Sequence, residues 1–321
     1  LAIIVVLGAS GAAYLNIAKP DVGDAPNIKV EVTPERVARG EYLANCVAVC
    51  MDCHSKRDWT LFGAPIMPGT FGAGGELFDQ KLGFPGAFYS KNITPYGLKD
   101  WTDGEIYRAI TTGVTKEGEP IMPVMPYHYY GQVDSQDIIS IIAYLRSLPE
   151  TKSERLESKA DFPFSLIVRT IPHKSAQMAK PAETDSLTYG KYVTLFSGCV
   201  ECHTQVNDKA QLIAGTEFGG GRVFTMPGGN LTTPNITFDM TTGIGTWSKE
   251  QFVARFKAYA DSNYHPHKVD PTKDFVTIMP WMMYANMKQG DLEAIYVYLK
   301  SIKPITHKVE KWKPTATVAA K

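Results

Sequence analysis

The sequence predicts a mainly α-helical chain of two tandem copies of one unit, preceded by an N-terminal transmembrane helix. Three observations carry this expectation. A pentapeptide occurs twice, as Cys50-Met51-Asp52-Cys53-His54 and Cys199-Val200-Glu201-Cys202-His203. The segments that flank it recur in the same order around each copy. The chain starts with an uncharged run, Leu1 to Ala18.

That run is just long enough for a membrane helix. Residues 1–19 are therefore expected as a retained anchor, with the apolar region of a signal peptide as the alternative. Residues 20–32 are polar and contain proline, and read as a linker holding the first domain off the membrane. The first domain is expected over 33–150, a connector over 151–183, the second domain over 184–305 and a C-terminal tail over 306–321.

Within the first unit, Thr33-Pro34-Glu35 reads as a helix start, with Thr33 as N-cap and Pro34 in the first turn. Gly40 and Tyr42 precede the first pentapeptide as Gly190 and Tyr192 precede the second. A small residue at each glycine lets another helix approach closely. Downstream, Gly74-Gly75 matches Gly220-Gly221, and the Gly-rich stretches 68–90 and 215–234 are expected to hold a short β-ribbon. Asn92-Ile93-Thr94 matches Asn235-Ile236-Thr237, and Trp101-Thr102 matches Trp247-Ser248, with Thr102 and Ser248 as N-caps of a middle helix. Met125-Pro126-Tyr127 matches Met279-Pro280-Trp281, and Asp137 and Asp291 open terminal helices that end near Pro149 and Pro304. The connector contains the apolar stretch Phe162 to Val168, so it is expected to pack on a domain or cross between the two.

Each pentapeptide reads as a c-type haem attachment site. Two thiols one helical turn apart can add to the two vinyl groups of one porphyrin, and the adjacent histidine gives its Nε2 to the iron. A zinc half-site or a redox dithiol is the alternative for a single copy. Two copies followed by the same motifs favour two covalently attached haem c groups on Cys50, Cys53, Cys199 and Cys202, with His54 and His203 as proximal ligands. A methionine thioether suits the opposite face of the iron. The candidates are Met122, Met125 and His128 in the first unit, and Met279, Met282, Met283, Met287, His265 and His267 in the second. Of these, Met125 and Met279 stay in register when the units are aligned on their terminal helices. Asn92 and Asn235 shape a turn or bind a propionate; Trp101 and Trp247 stack near the haem or pack a core; Arg222 pairs with a propionate or, the favoured reading, is solvated. Cys46, the fifth cysteine, lies four residues before Cys50, on the same helical face. It is a third sulfur near the first haem, a redox thiol, an iron ligand or an apolar filler. Lys+Arg and Asp+Glu are both 33, which argues against nucleic acid as a partner.

The paired pentapeptides, the Asn-Ile-Thr segments, Thr242-Gly243-Ile244-Gly245-Thr246-Trp247 and the Met-Pro-aromatic loops resemble multihaem class I cytochromes c. The resemblance is closest to the cytochrome subunits of membrane-bound alcohol, gluconate and aldehyde dehydrogenases, and covers about residues 33–303. Phe162-Pro163-Phe164 with Arg169 is similar to the linkers of those subunits. They usually carry three haems and are held from the C-terminal side; this chain has two motifs and an N-terminal candidate anchor. The resemblance implies class I cytochrome c-like haem domains on the periplasmic side of the inner membrane and the Met-Pro loop as ligand loop.

The expected function is electron relay between a membrane-bound donor and a periplasmic carrier or terminal oxidase. The chain would serve as a subunit of a respiratory complex or of a membrane-bound dehydrogenase. It would not itself be an enzyme. The competing class is a dihaem enzyme, such as a peroxidase or a thiosulfate-oxidising cytochrome, which needs an open or unusual site at one iron.

Overall fold

The computed structural model describes residues 18–315. Helix α1 (Pro34–Tyr42) starts as the sequence predicts, with the Thr33 hydroxyl accepting from the Arg36 N–H at 3.4 Å. The helix then widens into a π-turn over Leu43–Val47, and Val49 takes a left-handed conformation (φ 48°) before α2 (Cys50–Cys53). Cys46 and Cys50 therefore do not share one helical face, contrary to expectation, because the turn between them breaks the 3.6-residue period. Strands β1 (Leu77–Phe78) and β2 (Gly86–Tyr89) form the expected ribbon. After α3 (Pro95–Leu98) comes α4 (Asp103–Thr112), opened by a capping box between Thr102 and Glu105. Such a box satisfies two of the orphan donors at a helix start. Helices α5 (Tyr127–Tyr130) and α6 (Ser135–Ser147) complete the first set. Strand β3 (Lys159–Ala160) then joins β2, and α7 (Phe164–Ile167) follows.

The second half repeats the order. It runs α8 (Ser186–Phe196), α9 (Cys199–Cys202), β4 (Val223–Met226), β5 (Gly229–Thr232), α10 (Lys249–Lys257), α11 (Trp281–Tyr284), α12 (Gln289–Ser301) and β6 (Trp312–Pro314). A capping box between Ser248 and Gln251 opens α10, as Thr102 and Glu105 open α4. Both sheets have three antiparallel strands, in the orders β1-β2-β3 and β4-β5-β6. The third strand of each comes from the segment after the terminal helix, so the repeat is longer than the sequence motifs indicate. The stretch expected as a tail from residue 306 is thus tied down through β6. Gly86 and Gly229 allow this pairing: a Cβ there would lie 2.3 Å from the Lys159 carbonyl oxygen and 2.5 Å from that of Lys313.

Residues 20–32 pack on the first half and do not stand away from it as a linker. Val22 and Val30 are buried, and the Val30 N–H donates to Asp103 at 2.8 Å. The apolar run from Leu1 lies, apart from Ala18, outside the described residues. Among the described residues no helix is long and apolar enough to cross a membrane.

In each half the first and last long helices cross at a glycine. A Cβ on Gly40 would lie 1.8 Å from the Ser140 carbonyl oxygen, and one on Gly190 would lie 2.0 Å from that of Ala294. The two halves share one hydrophobic core, with α1, α6, α8 and α12 all contributing. They also exchange a polar contact in both directions. The Tyr192 hydroxyl donates to Asp137 of the first half at 2.7 Å, and the Tyr42 hydroxyl donates to Asp291 of the second. Each phenol oxygen in turn accepts a backbone N–H at the start of the facing terminal helix, from Asp134 (3.2 Å) and Lys288 (3.0 Å). Burial first, and the facing carboxylate second, hold both phenols well above their ordinary range, so they remain donors at any working pH.

Candidate functional site

The two pentapeptides fold alike. In each, a residue in the left-handed conformation, Val49 or Gly198, turns the chain into the short helix that carries both cysteines. The following histidines, His54 and His203, are held by matching bonds. His54 Nδ1 lies 2.7 Å from the Lys91 carbonyl oxygen, and His203 Nδ1 lies 2.8 Å from that of Pro234. A carbonyl only accepts, so Nδ1 carries the proton and Nε2 keeps its lone pair. Burial lowers both imidazole pKa values, which favours this neutral form. The Nδ1–H bond to a carbonyl is the usual device that orients a metal-binding histidine.

The carbonyl partners are themselves positioned by the next residue. The Asn92 side chain accepts from the N–H and hydroxyl of Thr94 and donates to the Thr151 carbonyl oxygen at 2.7 Å. Asn235 does the same with Thr237 and with Ile305, also at 2.7 Å. Both asparagines therefore shape the turn and fasten the exit of the terminal helix to the histidine loop.

The methionine loops are equally matched. In each, the residue after proline donates its N–H to the methionine carbonyl oxygen at 2.8 Å, from Tyr127 to Met125 and from Trp281 to Met279. With Pro126 at φ −83°, ψ 50° and Pro280 at φ −78°, ψ 62°, both are inverse γ-turns. Five residues after each methionine a tyrosine ties the loop to the entry of the cysteine helix. Tyr130 donates to the Ala48 carbonyl oxygen at 2.8 Å, and Tyr284 to that of Ser197 at 2.7 Å. Met122 lies in the same loop, its carbonyl oxygen accepting the Met125 N–H at 3.1 Å, while the other candidates go elsewhere. Met282 packs on Gly63 of the first half, Met287 is core, and Met283 lines an open cleft with Tyr42, Cys46 and Phe71. His267 stacks on Phe62 with ring centroids 4.9 Å apart, His265 is exposed, and His128 lies 3.6 Å from Glu201.

The donor set fits haem c better than the alternatives. Among the described residues no three His, Cys, Asp or Glu side chains converge as a zinc site requires. A redox dithiol needs a thiol of lowered pKa. Burial instead pushes Cys50, Cys53 and Cys199 up to about 12 and Cys202 up to about 11. Beside Met125, the fully buried Tyr127 has a hydroxyl with no hydrogen-bond partner among the described residues. Such a lone donor costs about 1–3 kcal/mol unless a bound group accepts it. Cys46 is buried, and its thiol is pushed up to about 11 by burial, so it is neither activated nor a ready thiolate ligand.

Sequence reasoning missed the acids inside the pentapeptides. Asp52 and Glu201 occupy the same position, and each pairs with an arginine, although Arg57 is shared between Asp52 and the buried Glu76. Arg57 Nη1 lies 2.8 Å from Asp52, and Arg222 pairs with Glu201. Arg222 is therefore held at the site and not solvated. Glu201 also accepts from Tyr129 of the first half at 2.9 Å, so the loop that carries Met125 touches the second pentapeptide. Burial pushes the Glu201 carboxyl up, but its bonds to His128, Arg222 and Tyr129 outweigh this and hold it at about 2. The recurrence of an acid between the cysteines was the available signal.

No protein-family model matches the chain. It is 28% identical over 284 residues to the fructose dehydrogenase cytochrome subunit of Gluconobacter japonicus, covering 83% of this chain and 52% of that one. It is 26% identical over 284 residues to the cytochrome c subunit of the quinone alcohol dehydrogenase of Gluconobacter oxydans, covering 83% and 54%. The chain thus spans about half the length of these two relatives. A diheme cytochrome c-type protein of Cereibacter sphaeroides is 27% identical over 253 residues, 74% of this chain and 77% of that one. Over most of its length, then, the chain is similar to the cytochrome c subunits of dehydrogenases and to a diheme cytochrome c.

Proposed function

We propose that the chain is a dihaem c-type cytochrome, class I in both halves, that relays electrons without catalysing a reaction of its own. The observation that carries this reading is the duplicated site: a cysteine pair one turn apart, a histidine with Nδ1 bound and Nε2 unengaged, and a Met-Pro γ-turn fastened by tyrosine to the cysteine helix. Haem c, when bound, supplies an iron that exchanges one electron. Cys50, Cys53, Cys199 and Cys202 would hold the two groups covalently, and His54, His203, Met125 and Met279 would supply ligands to their irons. The matched hydrogen bonds keep these side chains in one geometry, which suits electron transfer with little rearrangement. Arg222 balances the charge of Glu201 beside the second site, and Arg57 offsets that of Asp52 and Glu76 in part beside the first.

The relatives support a place beside partner subunits, as the cytochrome component of a membrane-bound dehydrogenase or another respiratory complex. Residues 1–18 would anchor the chain in the inner membrane, with both haem units in the periplasm. Haem quantification and a reductive titration test this reading. Two haems per chain and two one-electron steps, each with a low-spin spectrum, are expected. One haem per chain, or a high-spin signal from either, would contradict it.

A further inference from the structure

Apart from the site, the connector carries an unusual surface. Phe162 is 80% exposed and Ile167 is 49% exposed, at the two ends of one apolar segment. The segment is not loose. Phe164 packs edge-on against Phe88 with ring centroids 6.4 Å apart, and Val168 is buried. Its polar ends are fixed as well, since Asp161 accepts from Gln80 at 2.8 Å and Arg169 pairs with Glu119 at 2.9 Å. The fold therefore holds two large apolar side chains out toward their surroundings on a short, rigid turn.

The neighbour of this turn says what it faces. Arg169 also donates to the Ala18 carbonyl oxygen at 3.3 Å. Ala18 is the last residue of the uncharged run that starts at Leu1. Phe162 and Pro163 turn the chain into α7, and a 3-10 turn over Val168–Thr170 then carries Arg169, so both apolar side chains lie within a few residues of it. The charges around it are balanced: the exposed Asp161 precedes Phe162, Arg169 pairs with Glu119, and Lys174 lies 3.9 Å from Asp21. Two large exposed apolar side chains thus stand beside the end of a long uncharged run.

We infer that the Phe162–Ile167 turn inserts into the interfacial zone of the bilayer beside the point where residues 1–18 enter it, giving the chain a second membrane contact. This rests on the reading of residues 1–18 as an anchor. One contact lets the haem pair swing about the anchor; two fix which face of the pair is turned to the membrane and which to soluble carriers.

The test uses the full, haem-loaded chain in vesicles of phosphatidylethanolamine and phosphatidylglycerol. A nitroxide is placed by Phe162→Cys, a second by Ile167→Cys, and a reference by Met240→Cys, a residue 66% exposed in the second half. The unsubstituted chain, carried through the same labelling, corrects for Cys46. At 162 and 167 collisions with oxygen should exceed those with a polar nickel chelate, and at 240 the order should reverse. If the chain floats with the vesicles but all three labels meet the chelate equally, the anchor stands and the second contact is overturned. Labels shielded from both reagents would mean that protein covers the turn, which also overturns it. A chain that does not float with the vesicles would defeat the anchor reading and this inference together.

Discussion

In a Met279→His protein, one of the two haem potentials should fall by a few tenths of a volt and the other should stay nearly unchanged. The size follows from the chemistry of the ligand. A thioether stabilises the ferrous iron, an imidazole stabilises the ferric, and axial ligands move haem potentials across roughly 0.8 V. The selectivity follows from the fold, because each methionine loop is fastened to the cysteine helix of its own half through Tyr130 or Tyr284. Met283→Leu is the control: its side chain lines the cleft beside Cys46, and both potentials should be unaffected. A potentiometric titration followed in the visible bands reads both. A shift with Met283→Leu and none with Met279→His would show that the second iron takes the other methionine.

Asp137→Ala should be the most destabilising single change outside the haem ligands. Its carboxylate, 5% exposed, accepts two bonds from Arg39 at 2.9 and 2.8 Å and one from Tyr192 of the other half at 2.7 Å. Alanine strands a guanidinium and a phenol together. Removing one partner of a buried ion pair costs about 3–5 kcal/mol, because the remaining charge is left desolvated. Tyr192→Phe removes two bonds between the halves, the one donated to Asp137 and the one accepted from the Asp134 N–H, and should cost about 1–3 kcal/mol. Thermal unfolding of the haem-loaded proteins would rank them. An Asp137→Ala protein within about 0.5 kcal/mol of the parent, the scatter of an ordinary surface substitution, would remove this carboxylate from the interface.

The sequence made the local parts of this structure legible. Thr33, Thr102 and Ser248 cap helices because their hydroxyls are placed to accept the first free N–H groups. Gly40 and Gly190 mark helix crossings because nothing larger fits against Ser140 and Ala294. What escaped were features set by partners distant in the chain. Tyr42 and Tyr192 stood out only as neighbours of those glycines; that each reaches the other half's aspartate depends on how the halves dock. Strands β3 and β6, of two and three residues, are too short to carry an alternating pattern, so their pairing opposite Gly86 and Gly229 left no signal in the sequence. Val49 gave no sign of its left-handed conformation, because its counterpart is Gly198 and β-branched residues rarely adopt it. At the candidate site the cysteines, histidines and methionines were readable from spacing. The bonds that orient them were not, since Lys91 and Pro234 contribute only backbone carbonyls.

With a full set of protein ligands on both irons, the proposed relay passes electrons without binding a small reactant. Carbon monoxide added to the fully reduced protein tests it most directly. With Met125 and Met279 in place, binding should be slow and weak at both haems, and the ferrous spectrum should stay that of low-spin His/Met iron. Rapid stoichiometric binding at either haem would mean an open iron, and would contradict the relay in favour of an enzyme.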